Sequence, residues 1–302
     1  MPSQAYNLMK HLLLLLLMIL PSVANCQTVD SSNCELRWCT FNIRLKNRGD
    51  SKAGYGWKVR RDRVADYIRS HHIDVVGMQE VLHSQLKNLR KRLPEYDYVG
   101  VGRTNGKKRG EYSPIFFLKK RFEVLEKGNF WLSETPDVPG SVGWDAALER
   151  IASYAKLRDK ETGKVFMAVN THFDHVGVKA REESAKLIMS KIQEIVGEQP
   201  AVVTGDFNVT EKNRAYTTML GCEAMNGEMS DCKLHDAYHM TSNRTGADYT
   251  YHGFCKIPPQ KCEKIDFIFL TPTIRVNRSH IEQPNPEALL SDHNPHWVDL
   301  EF

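Results

Sequence analysis

The chain has 302 residues, 41 Lys and Arg against 37 Asp and Glu, with 41% hydrophobic and 26% charged residues. That profile excludes a disordered chain, a collagen-like repeat and a polytopic membrane protein, and leaves a globular chain long enough for one large domain or two small ones. A formal charge of +4 is too small to diagnose a nucleic-acid binder, although it would not repel a phosphate substrate.

At the N-terminus Lys10 and His11 precede the apolar run Leu12 to Leu20, and Pro21, Ser22 and Ala24 follow it. This reads as a secretory signal peptide over residues 1–26, with cleavage between Cys26 and Gln27. The apolar run is shorter than the roughly 20 residues a bilayer span needs, so a secreted protein without stable membrane insertion is expected, and residues 27–302 are expected to form a single catalytic domain. Six cysteines then remain in an oxidising setting. Cys222 with Cys232 and Cys255 with Cys262 each bracket a turn-rich segment and are placed to staple a loop. Cys39 lies five residues from Cys34 in an extended run that holds the two too far apart to bridge, so it reads as a buried free thiol and Cys34 stays unassigned. No Cys-x-x-Cys pair is present, and no structural zinc site is expected.

In chain order, Leu36 to Asn42 reads as a first strand and Trp57 to Ser70 as an amphipathic helix. Ile73 to Gln79 is a nearly all-apolar strand of the kind buried on both faces, and it ends in Glu80. Strands follow at Ser113 to Leu118, Phe122 to Trp131, Ile151 to Arg158 and Lys164 to Thr171. Val178 to Val196 places Ala180, Ser184, Leu187, Ile188, Ile192 and Ile195 at helical spacing and is closed by Gly197. Ala201 to Gly205, Lys264 to Leu270 and His296 to Phe302 supply the last strands. No repeat or linker interrupts the order, which suits mixed sheets with helices outside.

Acids, amides and histidines sit at the ends of these strands. The contexts are Thr-Phe-Asn42, Gly-Met-Gln-Glu80, Asn-Thr-His172-Phe-Asp174-His175, Thr-Gly-Asp206-Phe-Asn208, Lys-Ile-Asp266-Phe and Ser-Asp292-His293-Asn-Pro. A strand end is a rigid mount opening onto loops, and a hard divalent cation takes oxygen ligands of these types. Singly, Asn42 reads as a turn cap, Glu80 as a first-turn acid and Asp266 as a satisfied strand-end carboxylate.

Taken together and in this order, the six contexts resemble the endonuclease/exonuclease/phosphatase family of metal-dependent phosphoesterases, over residues 36–302. The resemblance implies an α/β four-layer sandwich, two packed mixed β-sheets flanked by helices, with the site at one end of the sheets. It implies Glu80, Asn42 and Asp292 around a Mg²⁺ ion, with Mn²⁺ as a substitute, and Asp206, Asn208 and Asn42 against the scissile phosphate. Asp266 is expected to hold His293, and Glu111 to partner His172, so that His172, Asp206, His293, Glu111 and Asp266 form the catalytic set. Two carboxylate-supported histidines flanking a phosphate suit in-line attack by water, one activating and one protonating or stabilising the departing oxygen. A Ser-His-Asp hydrolase is disfavoured by the lack of a Gly-x-Ser-x-Gly context.

The stretches around Trp131, Trp144, His175 and Arg181 resemble an exported subgroup of that family. The expected partner is a phosphate-ester substrate, nucleic acid among them, and no protein partner is indicated. A secreted phosphodiester hydrolase, specifically a nuclease, ranks first. A phosphomonoesterase or a lipid- or sugar-phosphate esterase of the same fold ranks next, and a non-catalytic secreted binding or matrix protein last. The cluster Arg103, Lys107, Lys108 and Arg109 before Glu111 reads equally as a second-phosphate contact and as a solvated hairpin tip.

Overall fold

The computed structural model describes residues 34–196, 199–222, 224–225, 228–229 and 233–302. The signal-peptide segment and Cys232 lie outside them. The strands are β1 (Glu35–Asn42), β2 (Val75–Gln79), β3 (Val81–Leu82), β4 (Tyr96–Val99), β5 (Glu111–Tyr112), β6 (Ile115–Leu118), β7 (Phe122–Trp131), β8 (Ile151–Asp159), β9 (Val165–His172) and β10 (Ala201–Asp206). After them come β11 (Ala224–Met225), β12 (Glu228–Met229), β13 (His235–Asp236), β14 (Arg244–Gly246), β15 (Asp266–Leu270), β16 (Arg275–Ile281) and β17 (His296–Glu301). The helices are α1 (Arg48–Lys52), α2 (Trp57–Ser70), α3 (His83–Arg92), α4 (Val178–Val196) and α5 (Arg214–Met219).

Seven strands form one mixed sheet in the order β14-β16-β17-β1-β2-β6-β4, and six form a second in the order β13-β15-β10-β9-β8-β7. The all-apolar strands follow from where these sheets lie. Successive residues of a strand face opposite sides, so a strand covered on both faces must be apolar at every position. Val75 joins the core between the sheets with Phe166, Val202 and Ile268, while its neighbour Val76 packs under α2 and α3 with Val64, Ile68 and Leu89. On the second sheet Val203, Phe267 and Phe269 face away from that core and meet Ile188 and Ile192 of α4. The result is a four-layer helix–sheet–sheet–helix sandwich, and the described residues from 34 onward fall in one compact unit.

The two sheets approach closely at Gly77 of β2, where a Cβ would collide with Thr204 Oγ1 and Asn170 Oδ1. A buried polar belt joins the sheets there. Gln79 Nε2 donates to Asn170 Oδ1 at 2.7 Å, and Asn170 Nδ2 donates to the carbonyls of Met78 and Pro114 at 2.7 and 3.0 Å. This belt lies one or two residues before Glu80, His172 and Asp206 on the same strands and fixes how the ends of the two sheets face each other.

The helix predicted over Val178 to Val196 occupies those residues, and its first turn is capped from a distance by Asp145, which accepts from the Ala180 amide at 2.6 Å. Helix α3 and strands β4 and β16 carry no clear periodicity in the sequence. In α3 only Leu86 and Leu89 are apolar among basic and polar residues, and its place is set by those two leucines entering the core beneath β2.

The cysteines depart from the stapled-loop expectation. Cys255 and Cys262 are free thiols, with Sγ of Cys255 near His252 Nδ1 and that of Cys262 near the Pro258 carbonyl. Cys39 is a buried free thiol, as its position in a strand dictates. Cys34 is also free and buried, donating to Asp159 Oδ2 at 3.0 Å, and burial pushes its thiol up to about 12. Among the described residues no helix is long and apolar enough to cross a membrane.

Candidate active site

Strand direction brings the polar strand ends together. β1 runs parallel to β2, and β9 parallel to β10, so Asn42, Glu80, His172 and Asp206 all emerge at C-terminal ends. β15 runs antiparallel to β10 and opens opposite it, with Asp266 in register with Asp206. Glu80 follows β2 in a left-handed backbone conformation (φ 62°) and Asn208 follows β10 in another (φ 49°). Such strain in non-glycine residues is tolerated where the surroundings hold it. For Glu80 the holder is a hydrogen bond from the Leu45 amide to Oε2 at 2.8 Å, and for Asn208 it is its own amide donating to Asp206 Oδ1 at 3.0 Å.

Glu80, His172, Asp206, Asn208, Asp292 and His293 line a cavity of about 400 Å³, together with Arg44, Arg103, Glu111, Leu148, Arg150, His175 and Tyr251. At its centre the Asp206 Oδ2 lies 3.6 Å from His172 Nε2 and 3.7 Å from His293 Nε2. Behind His293, Nδ1 meets Asp266 Oδ2 at 2.8 Å, as expected from the sequence. The Glu111 partnership is looser than expected. Its Oε2 stands 4.0 Å from His172 Nδ1, beyond hydrogen-bond reach, because Oε1 is taken by Arg103 Nη2 at 3.0 Å.

Burial and charge drive the two histidines apart. His172 is held well below the usual histidine value by burial and by the cations Arg150 and Arg103. For His293 burial acts in the same direction but is outweighed by Asp266, with Asp206 and Asp292 adding, so it is raised to about 10. Asp206 is raised to about 7 by burial and by Asp266, against the pull of His293 and the Asn42 hydrogen bond. Burial and charge thus favour the imidazolium at His293 and the neutral imidazole at His172, on either side of the same Asp206 carboxyl group.

Asn42 sits differently from a metal ligand. Its Nδ2 donates to Glu80 Oε1 at 3.1 Å and to Asp206 Oδ2 at 2.9 Å, while its Oδ1 accepts from the Arg44 amide. It ties the two sheets' carboxylates together, and its oxygen is engaged by the Arg44 amide. Asn208 lines the cavity, with its Nδ2 donating to the Phe173 carbonyl at 3.0 Å.

The donor set nonetheless fits a divalent cation. Glu80 and Asp292 are buried carboxylates on the cavity wall, and Asp292 has Arg44 Nε at 3.6 Å and accepts from Ser291 Oγ at 3.1 Å. A pair of carboxylates in an all-oxygen set is what Mg²⁺ or Mn²⁺ takes. A second cluster, Asp206, Asp266 and His293, also gathers ligand-type atoms within 4.8 Å. There His293 Nδ1 is bonded to Asp266 and Nε2 faces Asp206, so the cluster reads as a proton-handling group.

Several lining residues escape sequence reasoning. Arg103 was legible only as part of a basic cluster, and in the fold it turns inward while Lys107, Lys108 and Arg109 stay exposed. Arg150 carried no signal at all. It pairs through Nε with Asp174 Oδ1 at 3.1 Å, a contact 24 residues distant in sequence. Arg181 donates to the Asp174 carbonyl at 3.0 Å. Tyr251 packs its ring against His293 with centroids 4.9 Å apart.

A family model described as the Endonuclease/Exonuclease/phosphatase family matches residues 39–293. Among solved structures, an endonuclease/exonuclease/phosphatase from Bacteroides vulgatus is 54% identical with a TM-score of 0.84, over 89% of this chain and 99% of that one. The mannosyl-6-phosphatase of Bacteroides thetaiotaomicron VPI-5482 is 38% identical with a TM-score of 0.81, over 88% of this chain and 100% of that one. Among curated proteins, Nocturnin of Drosophila melanogaster is 21% identical over 91% of this chain, which spans 46% of that relative's length. Enzymes of this family are generally dependent on a divalent metal. With the matching sandwich and the histidine–carboxylate site at its sheet ends, the chain belongs to the endonuclease/exonuclease/phosphatase family of phosphoester hydrolases.

Proposed function

We propose that the protein is a secreted, Mg²⁺-dependent phosphomonoesterase acting on a small sugar phosphate, with Mn²⁺ as an alternative ion. The observation that carries this reading is the cavity of about 400 Å³ holding the His172–Asp206–His293 set. That volume suits a small ligand, since such pockets run from about 300 to 1,000 Å³. The likeness to a sugar phosphatase along nearly the whole described chain supports the same substrate class.

A bound cation supplies charge neutralisation at the phosphoryl oxygens. Glu80 and Asp292 are the carboxylates placed to hold it, with Asn42 keeping Glu80 in position. Asp206 lies where it orients a water against phosphorus, and the two histidines supply the proton donor and acceptor that in-line displacement needs. Asp266 fixes the orientation of His293 and keeps it charged. Secretion rests on the leader-like residues 1–26.

A nuclease is the second reading, favoured by the exposed Lys107, Lys108 and Arg109 on the turn that precedes Glu111. A panel of mannose 6-phosphate, glucose 6-phosphate, a nitrophenyl diester, DNA and RNA, each with Mg²⁺ and with a chelator, separates them. Phosphate release from the sugar phosphates at a kcat/KM at least about tenfold above any diester is the expected result. Faster cleavage of an oligonucleotide would transfer the assignment to the second reading.

A further inference from the structure

We propose that Arg103 and Arg150 form a specificity subsite that selects a phosphomonoester dianion over a phosphodiester. The inference rests on the phosphomonoesterase reading above and assigns its substrate discrimination to two residues. Both guanidiniums line the reactive cavity beside His172, and both are nearly fully buried, at 6% and 3% exposure. Arg103 is fixed by Glu111, and its carbonyl accepts from Trp131 Nε1. Arg150 Nε is held by Asp174, Nη2 faces His175 Nδ1 at 2.9 Å, and Nη1 is buried without a hydrogen-bond partner.

An unpartnered buried N–H is costly, and native structures pair nearly all of them. Asp174 meets Arg150 through Oδ1 alone, because its Oδ2 accepts from the amides of Ala147, Val176 and Gly177 at 3.1, 3.0 and 2.8 Å. Arg103 lies close enough to add to the effect of burial in lowering the Arg150 guanidinium. Two buried cations that disfavour one another, one with a free donor, are matched by an oxyanion, which arginine binds through directed N–H groups. The acids Glu80, Asp206 and Asp292 in the same cavity make it a poor anion site without such a counterweight. A monoester dianion carries one more charged terminal oxygen than a diester, whose corresponding oxygen is esterified. The pair supplies the additional positive charge and hydrogen bonding that this oxygen calls for.

The experiment compares kcat/KM for p-nitrophenyl phosphate and bis(p-nitrophenyl) phosphate in the full-length enzyme with saturating Mg²⁺, for wild type, Arg103→Gln, Arg150→Gln and the two Lys variants. The Gln variants are expected to lose about 10- to 100-fold on the monoester and less than about threefold on the diester. The Lys variants recover part of that loss, and inhibition by inorganic phosphate weakens in parallel. Equal losses on both esters, or an unchanged ratio, overturn the inference. Since Arg150 also anchors the Asp174 loop, a collapse of both activities in its Gln variant with a lowered melting temperature marks misfolding, and Arg103→Gln then decides. A wild type that prefers the diester refutes the phosphomonoesterase reading, while the change in ratio on substitution still judges the subsite.

Discussion

Asp206 faces the Nε2 atoms of both histidines at nearly equal distance, so a single carboxylate links the neutral and the charged side of the site. Replacing Asp206 or His172 by Ala is expected to lower kcat by about 10²- to 10⁴-fold, the usual worth of a positioned acid or base. The melting temperature should change little, and phosphate release beside thermal unfolding checks both. A rate within threefold of wild type would remove these residues from the chemistry. Glu80→Gln removes a charge from the set placed to hold the cation. The Mg²⁺ concentration for half-maximal rate should rise at least about tenfold, read by metal titration of activity. At this scale the sequence was informative wherever a polar residue stood at a strand end, as with His172, Asp206 and Asp292-His293. It was silent on Arg150, whose partner Asp174 and burial arise only when β8 and the loop after β9 lie side by side.

The strands set the site by bringing two sheets within hydrogen-bond reach, and Gly77 is the residue that permits it. Gly77→Ala places a methyl against Thr204 and Asn170 and should cost about 1 to 3 kcal/mol, measured by urea denaturation, with activity falling as the polar belt spreads. The start of β17 carries a second prediction. His296 is fully buried, with Nε2 on Ser279 Oγ at 2.9 Å, and burial holds it well below its ordinary value of 6.5, with Lys264 and His280 adding. In the folded chain it stays neutral while the unfolded chain protonates it below pH 6.5. Its contribution to stability is therefore complete above that pH and lost as the pH falls, at up to about 1.4 kcal/mol per pH unit. His296→Gln keeps a polar contact but cannot titrate, and its unfolding free energy should fall less steeply than that of wild type between pH 6.5 and 4.5. Parallel profiles for the two proteins would show that His296 does not titrate on unfolding.

For the whole molecule, the expected consequence of the donor set is that a chelator abolishes turnover and added Mg²⁺ or Mn²⁺ restores it. Retention of full activity after exhaustive chelation would set aside the role given to Glu80 and Asp292. Mixed sheets with helices outside were legible from the apolar run Ile73 to Gln79, too continuous for a one-sided sheet, and from the amphipathic α2 and α4, while the four-layer sandwich came with the family resemblance. The edge strand β4 and helix α3 were not, because their residues are selected for what they pack against and show no strong period of their own. By itself the sequence determined which polar residues end the strands, and hence the family and a hydrolytic chemistry at phosphate, because those signals are local and contiguous. Only the tertiary structure decided that Glu111 serves Arg103 before His172, that Asn42 turns its amide nitrogen to the carboxylates, and that two arginines are buried in the cavity. Each depends on which side chain arrives first at a shared partner, and that competition is settled by packing across elements distant in sequence.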